Sequence, residues 1–232
     1  MNSVHSLALS HPWPTAIAER FHSASQRLYQ FHSFDTTNLL QPDLSFAQLH
    51  HLAFMAQREL NQLLNHIAQA TQSQAVIPGV KSLTRARDKV IGELNGQHRK
   101  LTDLARGTLV ARDLCGVIAI YEQLRQQANV ISLLNRFRDP KANGYRDLKV
   151  LLRLQDSQMV AEVQIHLEAI QQIKTGEEHR AYMQRQDIER KAAQQRRELT
   201  PWEQAKITRL KRYSRALYEE AWQRHQPTRF SA

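Results

Sequence analysis

A chain of 232 residues with 41% hydrophobic and 23% charged residues, and only 7 Gly and 7 Pro, has a globular composition that excludes a disordered or repeat-loop protein. Its 32 Lys+Arg against 22 Asp+Glu give a formal charge of +10, which favours polyanionic partners such as nucleotides, RNA or an acidic protein. The single cysteine, Cys115, excludes a disulfide framework within the chain, and no stretch approaches the ~20 apolar residues of a membrane span. The first thirty residues contain no apolar run of signal-peptide length, so the expected location is cytoplasmic, with export by a route that needs no cleavable signal left open.

In chain order, the spacing of Ile17, Phe21, Leu28 and Phe31 predicts a short helix from Pro14 to about Phe31. Ser45 followed by Gln48 is a capping-box pattern, and Phe46, Leu49, Ala53, Ala56, Leu60, Leu64 and Ile67 mark one face of a helix reaching about Gln72. Ser82 can cap a third helix through Leu94. Leu101 to Ala111 reads as a strand, Asp113 as the cap of a helix through about Gln127, and Val130 to Phe137 as a second strand. Beyond the turn from Pro140 to Gly144, the alternation of Leu148, Val150, Leu152 and Leu154 pairs with the segment Met159–Ile165 as a β-hairpin.

From Leu167 the composition is helical, with a break at Thr175-Gly176 and a restart at Thr200-Pro201-Trp202-Glu203, where an N-cap, a Pro at the first helical position and a capping-box Glu coincide. The expected class is therefore α+β, a small mixed β-sheet flanked by N- and C-terminal helices. The expected organisation is an N-terminal helical segment (1–75), a core (76–190) and a basic C-terminal helical segment (191–232). The Arg/Lys/Gln-rich run from Arg185 to Arg212 reads either as a solvated helix face or as an electrostatic platform for RNA or a partner.

Chemistry concentrates in the middle of the chain. On the hairpin, Tyr145, Asp147 and Lys149 share one parity, and Glu162, Gln164 and His166 share another, so one sheet face is dense in polar groups. An ordinary solvent-facing hairpin produces the same alternation, so the pattern decides nothing alone. Upstream, Lys81, Arg85, Arg87 and Lys89 cluster at a helix start, Arg85 and Lys89 one turn apart, and Asp103 and Arg106 open the first strand. Phosphoryl-type transfer needs a carboxylate-held divalent metal, cations around the phosphates and a group that orients the attacking oxygen. Asp103 and Glu162 are the carboxylates available for those roles.

The order and wording of these segments resemble the synthetase domain of the RelA/SpoT alarmone synthetases, over roughly residues 77–185. The matching blocks are Val80-Lys81-Ser82 through Lys89, Leu101-Thr102-Asp103-Leu104, Pro140-Lys141-Ala142-Asn143-Gly144-Tyr145, Ala161-Glu162-Val163-Gln164-Ile165 and Glu178-His179-Arg180-Ala181-Tyr182. The resemblance implies a nucleotidyltransferase-like fold and an ATP-dependent pyrophosphotransferase of the GTP/GDP pyrophosphokinase kind. It would move the β,γ-pyrophosphate of ATP to the 3′-hydroxyl of a guanine or adenine nucleotide, as in ppGpp or ppApp synthesis, or of the tRNA 3′ end.

By the same resemblance Asp103 and Glu162 are catalytic and hold Mg²⁺, Glu162 orienting or deprotonating the acceptor hydroxyl. Lys81, Arg85, Lys89 and Arg106 hold ATP, while Lys141, Asn143, Tyr145, Lys149, Gln164, His166 and His179 face the acceptor, whose base stacks on Tyr145. The sequence departs from the family pattern at Gly79, Arg106, Thr108, Asp147, Lys149 and His166, which leaves the acceptor open. The absence of any His-Asp dipeptide implies synthesis without alarmone hydrolysis. Implied partners are the nucleotide or tRNA acceptor and, for a toxin-like member, an antitoxin protein. The alternative is a non-catalytic RNA- or protein-binding module that retains the fold.

Overall fold

A computed structural model describes residues 15–37 and 39–225. The first helix, α1 (Thr15–Gln30), leads into a two-residue strand β1 (Phe34–Asp35); Pro14, the expected start of α1, lies outside the described residues. Helix α2 (Phe46–Ala70) begins at the predicted capping box, with the Ser45 side chain accepting from the Gln48 backbone N–H and the Gln48 side chain accepting from that of Ser45. Then follow β2 (Gln74–Val76), α3 (Leu83–Gly92) behind its Ser82 cap, β3 (Ala105–Ala111), α4 (Leu114–Gln127) capped by Asp113, and β4 (Asn129–Asn135). The hairpin β5 (Leu148–Arg153) and β6 (Val160–Leu167) precedes α5 (Glu168–Thr175), α6 (Glu177–Gln194) and α7 (Pro201–Gln223). Thr200 and Glu203 close the second predicted capping box.

The strands form one six-stranded sheet in the order β1-β4-β5-β6-β3-β2, in which β3 and β6 run parallel and every other pair antiparallel. This is the mixed α+β architecture expected from the sequence. Two details differ. The strand expected from Leu101 starts at Ala105, because residues 101–104 turn to let Leu104 accept a hydrogen bond from the Lys81 backbone. The short strands β1 and β2 carry no sequence pattern of their own and exist by pairing with β4 and β3.

Alternation sorts the two faces. Ala105, Gly107 and Leu109 on β3, Ala161, Val163 and Ile165 on β6, and Leu148, Val150 and Leu152 on β5 are buried together against α2 and α4. At Gly107 a β-carbon would stand 2.2 Å from Leu64 Cδ1, so α2 lies directly on the strand there and a larger residue has to push the Leu64 side chain aside. The other face presents Arg106, Thr108, Lys149, Glu162 and Gln164, all half-buried, and is partly roofed by α5, which packs on β6, β3, α6 and α7.

Buried side-chain amides stitch this arrangement where strand pairing stops. Asn135, fully buried, donates to the Leu28 and Phe31 carbonyls and accepts from the Phe137 and Arg138 amides, tying the end of α1 to β4. Gln57 on α2 acts on the site itself. Strand β2 pairs with β3 only as far as Thr108, so the outward backbone of Arg106 has no strand partner, and Gln57 supplies both bonds, Nε2 to the Arg106 carbonyl and Arg106 N–H to Oε1, each at 3.0 Å. Leaving two such buried groups unpaired costs on the order of 1–3 kcal/mol each. Gln57→Leu is therefore expected to lower the urea unfolding free energy by about 2 kcal/mol or more; an unchanged midpoint would show that Arg106 is held some other way.

Candidate active site

Two groups of side chains meet along the polar face, around Glu162 and around Tyr145, and a third stands in the turn that leads into β3. Near the N-terminal end of the pair, Asp103 sits in the turn before β3. Its Oδ2 accepts from Lys81 Nζ at 2.6 Å and Lys89 Nζ at 3.0 Å. Lys81 is held by two main-chain bonds, its N–H to the Leu104 carbonyl and its carbonyl to His50 Nε2, while the Ser82 cap aims α3 so that Lys89 reaches the same oxygen. Burial pushes the Asp103 carboxyl up, and the two ammoniums outweigh it, so the group stays below the usual carboxylate range. Arg85, one turn before Lys89 on α3, is exposed and makes no ion pair with Asp103.

In the middle, Glu162 stands in register with Arg106. Glu162 Oε1 accepts from Gln164 Nε2 at 2.8 Å, and Lys149 Nζ lies 3.9 Å from Oε2. Gln164 in turn accepts from Lys174 Nζ at 2.6 Å, so the chain of donors runs from Lys174 through Gln164 to Glu162 and fixes which way the amide points. Burial lowers the Lys174 ammonium, against the pull of Asp147 and Glu162. Lys174 escaped the sequence reading because its place in the site comes from α5 roofing the sheet, a packing that nothing local in Gln171-Gln172-Ile173-Lys174 encodes.

At the far end, the Lys141–Tyr145 loop closes over β6. Gly144 adopts φ +80°, and a β-carbon there would meet Tyr218 Cβ at 3.3 Å and the Arg215 carbonyl at 3.4 Å, so both conformation and space call for glycine. Tyr145 is only 6% exposed. Its hydroxyl donates to Asp147 Oδ2 at 2.9 Å, and Asp147, wholly buried, takes Arg136 Nη1 at 2.9 and 3.3 Å on its two oxygens. The ring meets Tyr218 and His166 edge-on at 5.5 and 6.2 Å, and the Lys141 and Lys174 ammoniums lie 5.3 and 5.8 Å from its centre. The tyrosine is thus a braced post carrying two cations rather than an open platform, and a base stacked on it has to displace an ammonium.

Tyr145, Lys141, Gln164 and Lys174 line a cavity of about 840 Å³ whose walls also include Asn143, His179, Lys211 and the carboxylates Glu178 and Glu189, whereas Asp103 and Glu162 are not in its lining. Asn143 also braces the loop by accepting from the Tyr145 N–H at 3.3 Å. His166 shares the parity of Glu162 and Gln164 but is fully buried beneath Tyr145 and is not part of the cavity wall. Neither of its ring nitrogens has a hydrogen-bond partner among the described residues, and burial, followed by the Lys174 charge, pushes its pKa down to about 3.

No group of three or more His, Cys, Asp or Glu among the described residues is arranged to hold a metal. Mg²⁺ does not need one, because it is commonly held by one or two carboxylates together with substrate phosphates and water. Asp103 fits that pattern: Oδ2 is taken by the lysines, while Oδ1 is buried with no partner among the described residues and is open to a cation.

The buried histidine has a measurable consequence. A histidine whose folded pKa falls below its unfolded value near 6.5 binds its proton more readily in the unfolded chain, so stability declines as pH drops from about 6.5 toward 3. His166→Leu removes that liability. Relative to the native chain, the stability difference between pH 8 and pH 5 should shrink by about 2 kcal/mol in denaturant titrations; an identical difference would mean that His166 is protonated in the fold.

No family model matches the chain, and no curated protein matches it in sequence. Solved structures do match. Small alarmone synthetase 2 from Bacillus subtilis aligns over 77% of this chain and 93% of its own at 16% identity and TM-score 0.59. A GTP pyrophosphokinase family protein from Streptococcus pneumoniae aligns over 78% and 92% at 18% identity and TM-score 0.56. The type VI effector Tas1, solved with its immunity protein, aligns over 77% and 96% at 18% identity and TM-score 0.54. The resemblance read from the sequence therefore holds at the level of the fold: the chain has the architecture shared by small alarmone synthetases, a GTP pyrophosphokinase family protein and the effector Tas1.

Proposed function

We propose that the chain is an ATP-dependent pyrophosphotransferase acting on a ribose 3′-hydroxyl. The observation that carries this reading is the β3–β6 register, which sets the Glu162 carboxylate beside Arg106 and near Lys149, with the lysine-bound carboxylate of Asp103 in the turn before β3 and a cavity around Tyr145 that holds Lys141, Lys174, Arg185 and Lys211. Phosphoryl-type transfer requires mainly positioning and charge neutralisation, and these are the groups for it. The fold neighbours include pyrophosphokinases, which supports the same class of reaction.

In this reading Lys81, Lys89 and Arg106 bind the ATP phosphates, with Arg85 at the exposed edge. Mg²⁺, which Asp103 and Glu162 would hold together with the phosphates, would supply charge neutralisation there. Glu162 takes the proton of the acceptor 3′-hydroxyl. The hydroxyl oxygen forms its bond to the β-phosphorus as the bond between that phosphorus and the α,β-bridging oxygen breaks, and AMP leaves. Lys141, Asn143 and His179 contact the acceptor on the cavity side. Lys149 and Lys174 orient Glu162, Lys174 through Gln164, and His166 and Asp147 act from beneath by bracing Tyr145.

The acceptor is a guanine or adenine nucleotide or the tRNA 3′ end; a cavity of about 840 Å³ is of the size typical for small-molecule ligands. Its Lys141, Lys174, Arg185 and Lys211 suit phosphates of either acceptor. The work is done where ATP and tRNA are found, in a cytoplasm. An antitoxin partner is proposed by likeness to Tas1, which was solved with its immunity protein. No helix among the described residues is long and apolar enough to cross a membrane.

The test is transfer of label from γ-³²P-ATP, with Mg²⁺, to GDP, GTP, ADP and total tRNA in parallel. Glu162→Gln is expected to cut transfer by roughly a hundredfold or more while ATP binding persists. Lys174→Met should lower kcat by about tenfold, as expected when one hydrogen bond worth about 1.4 kcal/mol no longer orients the acting carboxylate, with partial recovery in Lys174→Arg. Native-like turnover by Glu162→Gln would move the proton acceptor elsewhere, and no transfer by folded, ATP-bound protein would leave the non-catalytic binding module.

A further inference from the structure

The basic run singled out in the sequence is not absorbed by the candidate active site. Between Glu203 and Glu219 helix α7 carries five cations, Lys206, Arg209, Lys211, Arg212 and Arg215, and no carboxylate. None of the five forms an ion pair among the described residues. Lys211 turns toward the cavity, whereas Trp202, Lys206, Arg209 and Tyr213 recur at helical spacing along one stripe. That stripe lies opposite the buried face of Ile207, Ser214, Tyr218 and Trp222.

The stripe borders a groove of about 580 Å³ between α6 and α7, lined by Gln184, Trp202, Lys206, Arg209, Leu210 and Tyr213 among others. Trp202 is 68% and Tyr213 45% exposed, an unusual investment of aromatic surface in water. Lys206 lies 5.1 Å from the centre of the Trp202 ring, over one face, so a base stacks on the other face or displaces that ammonium onto its own phosphate. No carboxylate is among the lining residues, and those on the two helices that act on groove residues are engaged elsewhere. Glu203 is held by Arg197 at 2.7 and 2.8 Å and by the Thr200 N–H, and Asp187, which also feels Lys206, pairs with Lys191 at 2.8 Å; the exception is Glu177, which takes the Tyr213 hydroxyl at the groove's rim. The Thr200–Glu203 capping box fixes the helix start, so Trp202 is displayed on a rigid support.

We infer that this groove binds single-stranded RNA. Aromatic faces alternating with unneutralised cations along a rigid element are the means by which proteins hold an unpaired strand, bases stacking on the rings and phosphates meeting the cations. The stripe spans roughly 16 Å from Trp202 to Tyr213 at 1.5 Å per residue, long enough for several nucleotides. An acidic protein segment could satisfy the cations but gives no reason for rings displayed between them. The groove and the cavity lie on opposite sides of α7, roughly 10 Å apart across one helix. The inference does not depend on pyrophosphate transfer.

The test is fluorescence anisotropy of a labelled single-stranded RNA of about 12 nucleotides. Trp202→Ala should weaken binding by roughly five- to a hundredfold, the range for loss of one base–aromatic stack, and Trp202→Phe should restore part of it. Lys206→Ala with Arg209→Ala should make the salt dependence shallower by about 1.4 in log–log slope. Trp202→Ala should bind ATP as the native protein does, which separates this site from the active-site reading. Binding unchanged by Trp202→Ala, or displacement of RNA by polyglutamate of equal charge as effectively as by unlabelled RNA, would overturn the inference and leave a general cationic or acidic-protein surface.

Discussion

The parallel pairing of β3 with β6 is the constraint on which the rest depends. It is the one parallel contact in an otherwise antiparallel sheet, and it requires the crossover through α4 and the β4–β5 hairpin before β6 can return beside β3. Its register sets Arg106 beside Glu162 and Thr108 beside Gln164, and it places the turn bearing Asp103 ahead of them. One face of the pair is small and apolar so that α2 and α4 can press onto it, with Gly107 under Leu64 as the tightest point. Alternation then leaves the polar residues on the other face, and the site follows from the core.

Half-buried charge is the second organising fact. Each carboxylate along the face has a cation: Asp103 has Lys81 and Lys89, Glu162 has Lys149, and Asp147 has Arg136. Burial raises the Asp147 carboxyl despite Arg136, while at Asp103 two ammoniums reverse that direction. The difference separates two jobs. Asp147 is sealed beneath Tyr145 and braces it, whereas Asp103 keeps a buried oxygen with no hydrogen-bond partner among the described residues. Beneath the same tyrosine, neutral His166 fills space without adding a charge next to Lys174.

Features set by local chemistry were legible in the sequence. The caps at Ser45, Ser82, Asp113 and Thr200 each depend on a residue and its neighbours three positions on, and each appears where the sequence places it. The β5–β6 hairpin was legible because period-two alternation survives burial of one face. Features set by distant packing were not. Strands β1 and β2 have no pattern to read, Gln57 looks like any polar helix residue until the end of β2 leaves Arg106 unpaired, and Lys174 enters only through the roof formed by α5. Parity brought Tyr145, Asp147 and His166 to the correct side of the sheet but could not tell that the C-terminal helices bury them there.

If Asp103 and Glu162 belong to one site of the proposed kind, that site breaks ATP between its α and β phosphorus atoms. The nucleotide left behind reports this without knowledge of the acceptor, since pyrophosphate transfer releases AMP and single phosphoryl transfer releases ADP. Chromatography of the nucleotides formed from ATP and Mg²⁺, with acceptors supplied, should show AMP rising in step with 3′-pyrophosphorylated product. ADP as the accompanying product, or AMP formed with no modified acceptor, would contradict the claim.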